Sequence, residues 1–77
     1  MIGKILKRMR AQKKLKQREL SKIINIPQNT ISQYETETIQ PTFEIIEKIA
    51  SACGYQVEFK SDKEVLTSEN IKRMDIE

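Results

Sequence analysis

Residues 17–35, QRELSKIINIPQNTISQYE, decide the fold of this chain. Leu20, Ile24, Ile26, Ile31 and Tyr34 recur at spacings that place them on one side of two short helices. Gln28, Asn29, Thr30 and Gln33 are then left facing away from that core. Ser21 is small where the second of these helices must cross the first, and a bulky side chain there would hold them apart. Asn25 falls at the turn, where a positive φ is expected and Asn tolerates one better than most residues. Pro27 has a helical φ and no N–H, which suits a helix start. Two helices crossed through so short a turn make a helix-turn-helix unit, whose second helix can enter a DNA major groove.

Upstream, Ile2, Ile5, Leu6 and Met9 predict a helix over residues 2–13 with its apolar stripe inward, and Leu15 packs back as a staple. Residues 36–40 read as a loop. Pro41 and Thr42 restart a helix, with Thr42 as N-cap and Glu44 and Glu47 near its positive end. Phe43, Ile46, Ile49, Ala50 and Cys53 form its inward stripe, and Gly54 ends it. The apolar period then drops to two. Tyr55, Val57 and Phe59 alternate with Gln56, Glu58 and Lys60 as a short strand. No second strand is evident in the chain, so the expectation is pairing with the same strand of a second copy, centred on Val57 with Tyr55 across from Phe59. Residues 61–77 suggest a short helix or an arm, with Val65, Leu66, Ile71, Met74 and Ile76 as its apolar points.

Seventy-seven residues make one small core, near the size at which oligomerisation is expected to add stability. One cysteine and no histidine exclude an intrachain disulfide, Cys/His zinc sites and thiol–imidazole nucleophiles. No metal, cofactor or catalytic activity is expected. Charges interrupt every apolar run of MIGKILKRMR, so neither a signal peptide nor a membrane span is expected, and the protein is expected to be cytoplasmic. The net charge of +3 conceals an asymmetry. Residues 1–22 carry nine basic side chains against Glu19 alone, a net +8, while residues 23–77 sum to −5. A one-sided basic block is the footprint of a polyanion binder.

The stretches LKRMRAQKKLKQREL, INIPQNTISQYE and PTFEIIEKIASACG resemble the phage repressor and Cro-like (Xre-type) helix-turn-helix DNA-binding domains. The resemblance covers about residues 4–54, with the Gln-x-x-Leu-Ser start, the Ile-Ser-x-Tyr-Glu end and the Pro-Thr-x-Glu helix start in register. It implies a lambda repressor-like bundle of four or five helices that binds DNA as a dimer. It further implies base contacts from Gln28, Asn29 and Gln33, a phosphate held at Gln17, and an internal ion pair between Arg10 and Glu35. There are departures. Lys16 replaces the usual Ser or Thr cap, and Pro27 replaces a capping Ser. The loop that usually reads Asn-Gly followed by basic residues is Thr36-Glu37-Thr38-Ile39-Gln40. The strand at 55–60 stands where the best-known repressors have a fifth helix, as in some antitoxins and small regulators.

The expected fold is thus all-α, with the helix-turn-helix bundle at 1–54 and a strand and arm at 55–77 for dimerisation or partner binding. Gln and Asn can donate and accept together, so Gln28, Asn29 and Gln33 suit adenine edges, with Thr30 beside them on the base side. Gln17, Lys16, Ser32 and Lys14 are the expected phosphate contacts. Tyr55, Val57 and Phe59 are the expected dimer contacts. The function expected is a homodimeric transcriptional regulator, most simply a repressor, on double-stranded DNA. The alternative is an antitoxin whose arm binds a partner protein and which regulates its own operon.

Overall fold

The computed structural model describes residues 1–71. These form five helices and a two-stranded sheet, in the order α1 (Ile2–Gln12), α2 (Gln17–Ile24), α3 (Gln28–Glu35), α4 (Phe43–Ala52), β1 (Glu58–Lys60), β2 (Val65–Thr67) and α5 (Ser68–Ile71). Each of the first four helices sends one large side chain to the centre. Leu6, Leu20, Ile31 and Ile49 are all 1% exposed. Burial of each contributes about 1.5–3 kcal/mol. Met9, Ile24, Ala50 and Cys53 complete the core, with Leu15, Ile26, Tyr34 and Val57 packed against it. Burial pushes the Cys53 thiol pKa up, so the side chain is a protonated core residue. None of the helices among the described residues is long and apolar enough to cross a membrane.

The turn between α2 and α3 is built as its residue types demand. Asn25 takes the left-handed conformation, φ 57° and ψ 48°, and its N–H donates to the Ser21 carbonyl. Ser21 does more than stay small: its carbonyl accepts from Ile26 N–H at 3.2 Å, and its hydroxyl donates to the Ile26 carbonyl. One serine therefore stitches both strands of the turn. Pro27 precedes α3 with an extended ψ of 143°, and its carbonyl accepts from Thr30 and Ile31 at 3.0 and 3.2 Å. Thr42 caps α4 by accepting from Ile45 N–H at 3.3 Å. Gly54 follows that helix at φ 80°, where a side chain would be strained.

Three expectations about packing need correction. Ile5 is 46% exposed, because the inward face of α1 runs through Gly3, Leu6 and Met9 and leaves Ile5 about a quarter turn away. Gly3 is buried because α1 meets the end of α3 there. A Cβ on it would lie 2.6 Å from the Glu35 carbonyl oxygen and 2.7 Å from that of Tyr34. Phe43 is 44% exposed and does not enter the helical core; its ring faces Phe59 with centroids 6.0 Å apart. Ile46 is half-buried, while Ile45 packs on the core.

The C-terminal segment departs further. The strand begins at Glu58, so Tyr55 and Val57 precede it, and it has a partner within the chain. It pairs antiparallel with β2, setting Phe59 opposite Leu66. Ser61 closes the hairpin: its hydroxyl accepts from the N–H groups of Lys63 and Glu64, each at 3.1 Å. The same acceptor pattern would cap a helix, but here it closes a turn. Val65 and Leu66 lie on β2, not on a helix or arm. Thr67 and Asn70 then exchange side-chain bonds to each other's N–H, at 3.1 and 2.9 Å, and start α5. Met74 and Ile76 lie outside the described residues.

Candidate nucleic-acid interface

α3 is short and anchored from one side. Ile31 is buried and Tyr34 half-buried, so the opposite side of the helix is left to solvent. Gln28, Asn29 and Gln33 are exposed there, with Ser32 half-buried among them. Positions 28 and 32, and 29 and 33, are one helical turn apart and share a face. Together with Gln17 from α2, these four line one shallow polar concavity without a charged group. Thr30 is half-buried and lies outside that lining.

A second concavity adjoins the first and shares Gln17 and Gln28 with it. Its other walls are Arg10, Lys16, Arg18 and Glu19. An uncharged, donor-and-acceptor surface thus meets a cationic one along the line between the starts of α2 and α3. Lys16 flanks α2 with an exposed side chain. An ammonium has no lone pair to cap the helix, so only the return half of a capping box forms: Glu19 Oε1 accepts from Lys16 N–H at 2.7 Å. Lys14 stands apart from both concavities in the turn after α1, at φ 60°. Arg18 belongs to the basic block but to none of the contacts that the resemblance implies. It follows Gln17 directly, in the first turn of α2.

Beneath the two surfaces lies the Arg10–Glu35 pair. Arg10 donates from Nε and Nη2 to the two oxygens of Glu35 at 2.6 and 2.9 Å, and from Nη1 to the Leu15 carbonyl at 2.8 Å. The Glu35 side chain is 4% exposed and that of Arg10 13%. Burial opposes the charge on Glu35, but hydrogen bonds from Arg10 and Gln17 and the charges of Arg10 and Lys7 outweigh it, so its pKa is lowered. Arg10 is held more firmly protonated by the same hydrogen bond, against the cost of burial. Gln17 Nε2 donates to Glu35 Oε1 at 3.0 Å. One of the two amide donors of Gln17 is therefore spent internally, leaving one for a ligand.

The loop after α3 differs in kind. Thr36 Oγ1 donates to the Ser32 carbonyl at 3.0 Å and lies 2.9 Å from Thr38 Oγ1. Thr38 N–H reaches the Gln33 carbonyl at 2.9 Å. Glu37 adopts φ 62°, the left-handed turn position, and its carboxylate meets the Met1 amine. None of the residues between α3 and α4 is basic. By contrast, apart from Arg10, none of the nine basic side chains in residues 1–22 has an ion-pair partner among the described residues.

A family model described as helix-turn-helix matches residues 6–60, from α1 through β1. No curated protein and no solved structure matches the chain. With most of its length under that match and the two crossed helices in place, the chain belongs to the Cro-like (Xre-type) helix-turn-helix family of DNA-binding transcription regulators.

Proposed function

We propose that the protein is a sequence-specific repressor that binds a palindromic operator as a homodimer. The observation that carries this is the junction of two surfaces at Gln17 and Gln28, one uncharged and the other cationic. Amide side chains on an exposed helix face can pair bidentately with adenine N6 and N7, and the cations beside them can neutralise phosphates. Gln28, Asn29 and Gln33 read bases, and Thr30 touches a thymine methyl at the edge of that face. Gln17, Lys16, Ser32 and Lys14 hold the backbone. Two copies would enter successive major grooves roughly 10 base pairs apart, and repression follows from occlusion of polymerase.

Dimerisation through the hairpin is supported by exposed apolar side chains and an open strand edge. Phe59 is 60% exposed, and Phe43 and Tyr55 44% each. A two-stranded sheet pairs each strand on one side only, so a second copy can extend it. Val57, packed on the core, supports the hairpin from beneath. The same apolar surface favours a second reading, in which it docks a partner protein, as an antitoxin would dock its toxin.

Titration of the full chain into a duplex from its own upstream region, beside a scrambled duplex and at two salt concentrations, tests the proposal. Tight binding to the first that falls steeply with salt, with much weaker binding to the second, is expected. Equal and weak binding to both overturns it.

A further inference from the structure

We infer that Arg18 is a backbone anchor, seating a DNA phosphate that lies beyond the base pair read by Gln28, on the side away from Gln33. The inference rests on the DNA-binding reading above and extends it to a residue outside the expected contacts. Arg18 and Gln28 line the same concavity, so Arg18 stands at the Gln28 end of α3. Its neighbours leave it free. Arg10, in the same wall, is committed to Glu35. Glu19, in the same wall, accepts from Lys16 N–H and forms no ion pair among the described residues. Arg18 itself is exposed and has no ion-pair partner among the described residues.

The loop after α3 offers no such grip. Residues 36–42, TETIQPT, contain no basic side chain, and Glu37 adds a carboxylate. A phosphate passing that loop meets hydroxyls and a carboxylate already engaged by the Met1 amine; a phosphate passing the start of α2 meets Lys16 and Arg18, neither with an ion-pair partner among the described residues. Of these, the planar guanidinium is the one that can hold two phosphate oxygens at once. Arg18 therefore supplies a phosphate grip at the Gln28 end of each recognition helix. Arg18 fixes where the helix sits along the groove without reading sequence.

The test uses duplexes selected from a random pool by the full chain, in which single phosphates are replaced by uncharged methylphosphonates. Wild type should lose about tenfold in affinity at one position per half-site, flanking the pair read by Gln28. Arg18→Gln should bind about tenfold more weakly per protomer, with a salt slope smaller by about one per protomer and unchanged base preference. It should also be indifferent to that methylphosphonate. Arg18→Lys should retain the slope. Because the side chain is exposed, the melting temperature of Arg18→Gln should match wild type, which separates loss of grip from loss of fold. If Arg18→Gln keeps both the slope and the methylphosphonate effect, the anchor is elsewhere and the inference fails. An altered base preference in Arg18→Gln would make Arg18 a base reader and also overturns it. If no duplex is enriched from the pool, the DNA-binding proposal itself fails and the inference falls with it.

Discussion

Glu35 ties three helices together, with a side chain only 4% exposed. Its two oxygens accept from Arg10 Nε, Arg10 Nη2 and Gln17 Nε2, so α1, α2 and the end of α3 converge on one carboxylate. Removing the charge of a buried, paired group leaves its partner stranded, at a cost of about 3 kcal/mol. Glu35→Gln should lower stability by that order in urea denaturation, a large fraction of what a small domain has. The pH dependence has a definite sign. The folded pKa of Glu35 is lowered, so its contribution is full above the ordinary glutamate value of about 4.3 and is lost as pH falls through the lowered folded value. Wild type should therefore lose stability in that acid range and Glu35→Gln should lose less; equal slopes would count against the ion pair. Arg10, Glu35 and Gln17 were all legible as individual residues, the first two as a pair. The bond from Gln17 to Glu35 was not, because it depends on how closely the start of α2 approaches the end of α3, and residue type does not carry that distance.

At the scale of elements, the helices end alike. Lys14, Asn25 and Glu37 follow α1, α2 and α3 with φ of 60°, 57° and 62°, and Gly54 follows α4 at 80°. Only Asn25 and Gly54 have residue types that announce this conformation, so only those two ends were legible. A glutamate at φ 62° is strained by about 1–2 kcal/mol, and glycine would relieve this at an entropic cost of about 0.5–1 kcal/mol. Glu37→Gly should therefore raise stability by about 0.5–1 kcal/mol, read as a higher denaturation midpoint, while removing a carboxylate from the loop. No gain would mean that the contact with the Met1 amine offsets the strain. Gly3→Ala should act in the opposite direction. Its Cβ would press on two backbone carbonyl oxygens that cannot swing aside, at a cost of about 1–3 kcal/mol. The hairpin was half legible. The alternation of Tyr55, Val57 and Phe59 announced an extended segment, but β2 is three residues long, too short for a period to register. Its presence turned a strand expected to pair across copies into one paired at home.

At the scale of the molecule, two features divide the work between ends of the chain. Cationic side chains crowd residues 1–22, and exposed aromatics gather where α4 meets the hairpin. The proposal assigns DNA to the first and a second copy to the second. Phe59→Asp, on an exposed position of the hairpin, should shift the protein from dimer to monomer in sedimentation while leaving the helical core folded; a dimer that survives would place the contact elsewhere. Loss of the dimer should weaken operator binding while leaving the preferred bases of each half-site unchanged, since α3 is built by the core and not by the hairpin.

Whether the amide face of α3 reads base edges is decided by a base-preference profile. Wild type, Gln28→Ala and Gln33→Ala would each be used to select duplexes from a random pool, and the enriched sequences compared position by position. Each substitution should relax preference at its own position by about 1–3 kcal/mol, and the two positions should differ. Profiles that are the same for all three proteins would contradict the claim and leave α3 a solvated face on a protein that binds something else.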